Sequence, residues 1–198
     1  MNKFKKLLIV STLSLSLFSF HSPTEAATNT HVVKSGETFW IIANKYGVPV
    51  NSLKKANNKT SDLIYPGEKL QIPNSSLSAA DKQLLARLVS AEAKGEPYAG
   101  KVAVATVVLN RVDSKDFPNT VKEVIYEKVS GHYAFTPVQN GTINQAADKD
   151  SIKAVDEAIA FRGQGKGSLY FYNPKTSTSK WILSRPITTK IGNHTFAK

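Results

Sequence analysis

From residue 84 the chain reads L-L-A-R-L-V-S-A-E-A-K-G-E-P-Y. Leu84, Leu85, Leu88 and Val89 recur at helical spacing and predict an amphipathic helix with a buried stripe. Ser78 followed by Asp81 supplies a capping box for its start, Gly95 a stop, and Pro97 a residue that cannot continue it. Glu92 lies three residues after Val89, four after Leu88 and seven after Leu85. At about 100° per residue that puts its carboxylate within roughly 60° of the stripe. A carboxylate on the apolar face, beside a Gly-Glu-Pro break, suits an acid at the floor of a cleft. Burial without a partner raises such a group's pKa and keeps it protonated, the state a general acid needs. The competing reading is a solvated boundary residue, with Glu96 one turn further on as the other candidate acid.

Downstream, V-A-V-A-T-V-V-L-N-R-V over Lys101 to Val112 is an almost unbroken apolar run. Its length favours a buried helix, although its β-branched content also suits a strand. Thr120 with Glu123 caps a short helix through Tyr126, and Ile152, Val155 and Ile159 mark an amphipathic helix over 150–161. Residues 129–147 show no clear period. Strands are expected at 168–172 and 191–196, with a polar loop and Trp181-Ile182-Leu183 between them. Helices first and a small sheet late predict an α+β domain over 79–198.

Upstream, residues 31–73 read as a self-contained βααβ module. A strand at His31–Lys34 and a Ser-Gly-Glu turn lead into a helix over Thr38–Tyr46 closed by Gly47, a second helix over Pro49–Ala56, and a turn into a closing strand ending at Pro73. Residues 74–78 form a short polar linker that keeps the two parts close.

Residues 1–26 change the picture of where the protein acts. Lys3, Lys5 and Lys6 precede an apolar, hydroxyl-rich stretch over Leu7 to Phe20, and Thr24-Glu25-Ala26 resembles a cleavage site. This is a secretory signal peptide, too short in its core for a membrane span, so no stable membrane insertion is expected after cleavage. The formal net charge is +11, and removing a leader with three lysines and one glutamate leaves +9. A basic exported protein seeks a polyanion, and an anionic cell wall fits better than nucleic acid. There is no cysteine, which excludes disulfides and thiol nucleophiles. No H-x-x-x-H or H-E-x-x-H pair offers zinc ligands and no G-x-S-x-G elbow is present, so neither a metal nor another cofactor is expected.

The module carries V-x-S-G-E-T-x-W-x-I-A-x-K-Y-G-V, then L-x-x-A-N, then I-x-P-G-x-x-L-x-I-P, and resembles a LysM domain along its whole length. The resemblance implies a shallow groove for N-acetylglucosamine-containing glycans, at Gly36, Glu37 and Thr38 and at Ala56, Asn57 and Asn58. Phe39 and Trp40 are candidate stacking rings, with Trp40 expected in the core instead.

Residues 84–198 resemble the SleB-type spore cortex-lytic enzymes, cell wall hydrolases related to CwlJ. The matching blocks are A-R-L-V-S-A-E-A-K-G-E-P-Y-A-G-K-V-A-V-A-T-V-V-L-N-R-V, F-P-N-T-V-K-E-V-I-Y, A-F-T-P-V-Q-N-G, Y-F-Y-N-P-K-T-S-T-S-K-W-I-L-S-R-P and I-G-N-H-T-F. This resemblance implies a mainly helical, lysozyme-like domain that cleaves peptidoglycan glycan strands as a lytic transglycosylase, with the catalytic Glu at Glu92. Glu96 and Asp148 are the other carboxylates to consider. Thr136, Gln139, Asn140 and Asn173 are candidate hydrogen-bonding partners of the sugars, and Tyr170, Tyr172 and Trp181 candidate stacking partners or ordinary packing. The spore enzymes usually pair this domain with a different wall-binding repeat, which leaves vegetative wall and spore cortex both open as substrate. The alternative reading is a non-catalytic wall-binding or coat protein with a degenerate second domain.

Overall fold

The computed structural model describes residues 29–75 and 77–198. The leader expected at 1–26 and Ser76 of the linker lie outside them. In the N-terminal module, β1 (Asn29–Val32) pairs antiparallel with β2 (Lys69–Ile72), His31 standing opposite Leu70. Between them run α1 (Phe39–Tyr46) and α2 (Val50–Ala56). The Thr38 hydroxyl accepts the Ile41 amide at 3.2 Å and starts α1, so Thr38 acts as its N-cap. Phe39, Ile42, Leu53 and Leu70 fill the core. Trp40, expected in that core, is 38% exposed, whereas its neighbour Phe39 is 2% exposed. The reason is rotational: one helical step separates them by about 100°, and the inward position is taken by Phe39.

The second domain begins at α3 (Ala79–Glu92), where the Ser78 hydroxyl accepts the Asp81 amide at 3.1 Å and donates to the Asp81 carboxylate at 2.7 Å. Next is α4 (Tyr98–Asp113), the apolar run read ambiguously as strand or helix. Its valines cost helix propensity of at most about 0.7 kcal/mol each. Full burial of Val104, Val107 and Val108 contributes roughly 1.5–3 kcal/mol apiece, so tertiary packing decides for the helix. Then follow α5 (Val121–Ile125), a two-residue hairpin β3 (Lys128–Val129) and β4 (His132–Tyr133), α6 (Thr136–Gln139), a 3-10 turn at Thr142–Asn144, and α7 (Lys149–Ala160). The chain ends in β5 (Tyr170–Tyr172), α8 (Lys180–Leu183), β6 (Ile187–Ile191) and β7 (His194–Ala197), with an antiparallel sheet in the order β5-β7-β6. The single late strand expected at 191–196 is therefore a hairpin. Leu85, Leu88, Val89, Val108, Ile125, Ile159 and Phe196 share one core between the helices and this sheet.

The module rests on the end of α7. Ala160 is buried in the module's own core, and Trp40 packs at a tilt against Phe161 with ring centroids 6.4 Å apart. The Gly47 carbonyl accepts Ser75 Oγ at 3.0 Å and Lys82 Nζ at 3.4 Å, and Lys82 also reaches Asp156 at 3.7 Å. Among the described residues no helix is long and apolar enough to cross a membrane.

Candidate active site

Glu92 is the last residue of α3. The Ala93 amide closes the helix onto the Val89 carbonyl, and the chain turns at Gly95, whose φ of 80° lies in the left-handed region. Pro97 then caps α4. Two helices thus meet at a corner, and Glu92 sits half-buried on its inner side. It lines a cleft of about 630 Å³ with Arg87 and Ser90 of α3, Lys94 in the turn after it, Thr136 and Asn140 at the two ends of α6, and Thr142 and Asp148 beyond. Desolvation pushes the Glu92 carboxyl up to about 7, against the opposing pull of the Thr136 backbone amide and the Arg111 charge. Arg111 itself is 8% exposed and donates to the Leu169 carbonyl at 2.8 Å, so its guanidinium is fixed behind the site.

Asp148 is the second carboxylate on the cleft wall, and its environment is opposite. It N-caps α7, accepting the Ser151 amide and hydroxyl, both at 2.8 Å. The Ser90 hydroxyl donates to it at 2.9 Å, and Lys101 Nζ pairs with both oxygens at 2.9 and 3.0 Å. Burial opposes ionisation, yet the Lys101 ammonium and the three other donors override it and hold the carboxyl well below the usual range. One carboxyl in this cleft therefore keeps its proton up to about pH 7, and the other stays ionised with its lone pairs engaged.

Glu96 faces elsewhere. Its carboxylate accepts the Asn193 amide at 2.9 Å and the Asn193 side chain at 3.0 Å, tying the corner to the β6–β7 turn. Partial burial opposes its ionisation, and the two Asn193 bonds outweigh it and lower the pKa. Gly192 in that turn has φ 57°, and a Cβ there would collide with Glu96 Oε2. The geometry makes Glu96 a latch. Glu96→Gln is expected to keep the cleavage rate within the same order of magnitude while lowering Tm by about 2–4 °C. A rate loss matching that of a Glu92 variant would return Glu96 to the chemistry.

The other expected site residues divide. Thr136 and Asn140 line the cleft, with Asn140 Oδ1 accepting the Thr142 amide and hydroxyl at 3.0 and 2.8 Å; Gln139 is exposed and outside the lining. Tyr170, Tyr172, Asn173 and Trp181 also stand outside it. Tyr170 packs against Phe117 and edge-on against Trp181, centroids 6.1 and 5.0 Å away, with Arg111 and Arg185 over its ring at 5.5 and 5.3 Å. That is a cation–aromatic cluster behind the site, from which Trp181 remains 54% exposed. Asn173 accepts the Lys175 amide at 2.9 Å, a turn role. Tyr172 is a half-buried strand residue paired with Thr195. Sequence reasoning missed Arg87, Ser90, Lys94 and Thr142. Arg87 and Ser90 share a face of α3 three residues apart and Lys94 follows just after it, but none stands three or four residues from Glu92, so its placement gives no signal for them.

In the N-terminal module Glu37 is engaged internally: its Oε2 accepts the Lys34 amide at 2.8 Å and contacts His31 Nε2 at 2.6 Å. Asn57 bridges the Leu53 and Gln71 backbones, three contacts of 2.7–2.8 Å. Both position the loops. Gly36 makes the turn between them with φ 81°, and exposed Ala56 ends α2. Asn58 lines an open depression with Lys54, Lys55 and Lys59.

Two stretches of the chain match known families. A cell wall hydrolase family model matches residues 95–197, starting three residues after Glu92, and a LysM domain model matches 31–73. A spore cortex-lytic enzyme of Bacillus cereus is 37% identical over 195 residues, spanning 81% of this chain and 73% of its own length. Among solved structures, the catalytic domain of a germination-specific lytic transglycosylase, SleB of Bacillus anthracis, is 47% identical, with TM-score 0.56 over 64% of this chain and 100% of its own. The catalytic domain of the Bacillus cereus SleB protein is 48% identical with the same TM-score, over 64% and 95%.

Proposed function

The chain belongs to the cell wall hydrolase family, and on that premise we propose that it cuts peptidoglycan glycan strands as a lytic transglycosylase with Glu92 as general acid. That it is a peptidoglycan hydrolase with a LysM domain follows from the family. The single-acid mechanism rests on one contrast: burial pushes the Glu92 carboxyl up to about 7, so it keeps its proton far above the ordinary carboxylate range, while Asp148, also on the cleft wall, is saturated by Lys101, Ser90 and Ser151.

The Glu92 proton passes to the glycosidic oxygen as the bond from muramoyl C1 breaks, and the electron pair leaves with that oxygen. The developing positive charge at C1 faces the carboxylate just formed. A hydrolase would now need a second carboxylate to activate water or to attack C1. Asp148 is a weak base, since a depressed pKa means low proton affinity and its lone pairs are occupied. The muramoyl 6-hydroxyl is held within the same sugar and needs no capture from solvent. It attacks C1 and returns its proton to Glu92, giving a 1,6-anhydro end and the starting state of the acid.

The N-terminal module holds the glycan, and the leader together with the positive charge makes this an exported, wall-associated protein. Incubation of the purified protein with insoluble peptidoglycan tests the reading. Loss of turbidity with release of soluble muropeptides is expected. Sedimentation with the wall and no release would favour the non-catalytic binding reading.

A further inference from the structure

The Glu92 cleft and a second groove of about 590 Å³ lie end to end along α3. Arg87 and Ala146 line both, so the two form one trough with Arg87 at its waist. Gln83, Arg87 and Ser90 follow at helical spacing, which keeps this face of α3 toward the trough, and Lys94 continues the line just past the helix end.

Arg87 is the unexplained group there. Its Nε is buried without a hydrogen-bond partner, and among the described residues no carboxylate pairs with it. Besides Glu92, the carboxylates on the trough wall are already engaged, Asp148 by Lys101 at 2.9 Å and Asp156 by Lys82 at 3.7 Å. A buried donor without an acceptor is costly, and its persistence beside an open cleft calls for an acceptor that arrives with the ligand. Lys94 adds a second cation at the cleft end. Beyond Arg87 the groove is walled by the small and apolar Ala79, Ala86, Ile152 and Val155, with the polar Lys82, Gln83, Asn144 and Asp156 among them. An anion is thus met at the waist, followed by room for a chain of small apolar and amide groups.

We propose that the second groove holds the peptide stem carried by the muramoyl residue, with Arg87 pairing with a carboxylate of that stem. The proposal rests on the glycan-cleaving function above and adds a substrate class: glycan whose muramoyl residues bear peptides. The stem hangs from the lactyl group of the sugar that reacts, so with C1 at Glu92 it must leave the cleft sideways, and the trough is continuous with the cleft. A guanidinium suits this partner because its planar fork matches a carboxylate with two parallel hydrogen bonds.

The test compares soluble, uncross-linked glycan strands carrying stems with the same strands after an amidase has removed them. The full chain is expected to show kcat/KM on the order of ten- to a hundredfold higher with stems, the range for one charge-assisted hydrogen bond to a buried partner. Arg87→Gln should bring the ratio close to one through KM, and Arg87→Lys should leave it intermediate. Equal rates of the unaltered protein on both substrates, or an equal loss on both in Arg87→Gln, would overturn the stem site. So would a preference for stripped strands, which would assign Arg87 to the lactyl carboxylate that the amidase unmasks. If Arg87→Gln melts early, the ratio for the unaltered protein decides by itself. Cleavage of neither substrate would overturn the glycan-cleaving function instead, so the two failures are told apart.

Discussion

Glu92→Gln is expected to lose about 10²–10⁴-fold in glycan cleavage with the fold intact, the usual contribution of a general acid. The amide is close in size and shape to the carboxylic acid, so the corner between α3 and α4 keeps its packing. What goes is the proton that must reach the leaving oxygen. Among the described residues lining the cleft the one other carboxylate, Asp148, is ionised and saturated, and Glu96 is tied to Asn193 outside it. The measurement is the initial rate of muropeptide release, with circular dichroism to verify folding. A variant within tenfold of the parent would remove Glu92 from the chemistry.

The second large effect is on pH. Only protonated Glu92 is competent, so kcat/KM should be highest below about pH 7 and fall tenfold per unit above it, to roughly a hundredth at pH 9. Asp148 contributes no acid limb near pH 4–6, because its carboxyl titrates well below the ordinary range. A two-carboxylate hydrolase would show a bell instead. The same shift has a sign for stability. Burial raises the folded-state pKa of Glu92 above its unfolded value, so between about 4.5 and 7 the folded state binds more proton than the unfolded one, and stability falls as pH rises through that window. At pH 8 the full penalty applies, on the order of 3 kcal/mol, and Glu92→Gln should unfold at higher denaturant than the parent there and lose that advantage near pH 4. Site and stability are in opposition at this residue. An inflection in kcat/KM below about pH 5.5, or a variant no more stable at pH 8, would contradict it.

The helix bearing Glu92 was legible because its signals are local: a capping box at Ser78, an apolar period through Val89, and a glycine and proline that stop it. The βααβ module was legible for the same reason. The opposite wall of the cleft was not. Between 129 and 147 the chain forms a two-residue hairpin, a four-residue helix and one 3-10 turn, all too short to impose a period. Packing of α6 and the 3-10 turn against α3, and of these short pieces against one another, gives them shape. The engagement of Asp148 was equally hidden, since its N-cap role is local but Lys101 lies 47 residues away. The aromatic residues Tyr170 and Trp181 misled because sugar stacking and cation–aromatic packing draw on the same rings, and only the positions of Arg111 and Arg185 distinguish them. Trp40 misled by a single helical step, its place in the core being taken by Phe39.

The central claim is that one protonated carboxyl, without a competent base, directs the substrate's own hydroxyl to the broken bond. Mass spectrometry of the released muropeptides, before and after borohydride, tests this most directly. Fragments one water lighter than the hydrolysis products, carrying 1,6-anhydromuramoyl ends and unchanged by borohydride, are the predicted result. Muramic acid or glucosamine ends that borohydride reduces, as the main product, would contradict it and require a water-activating base in the cleft, with Asp148 the first to be replaced.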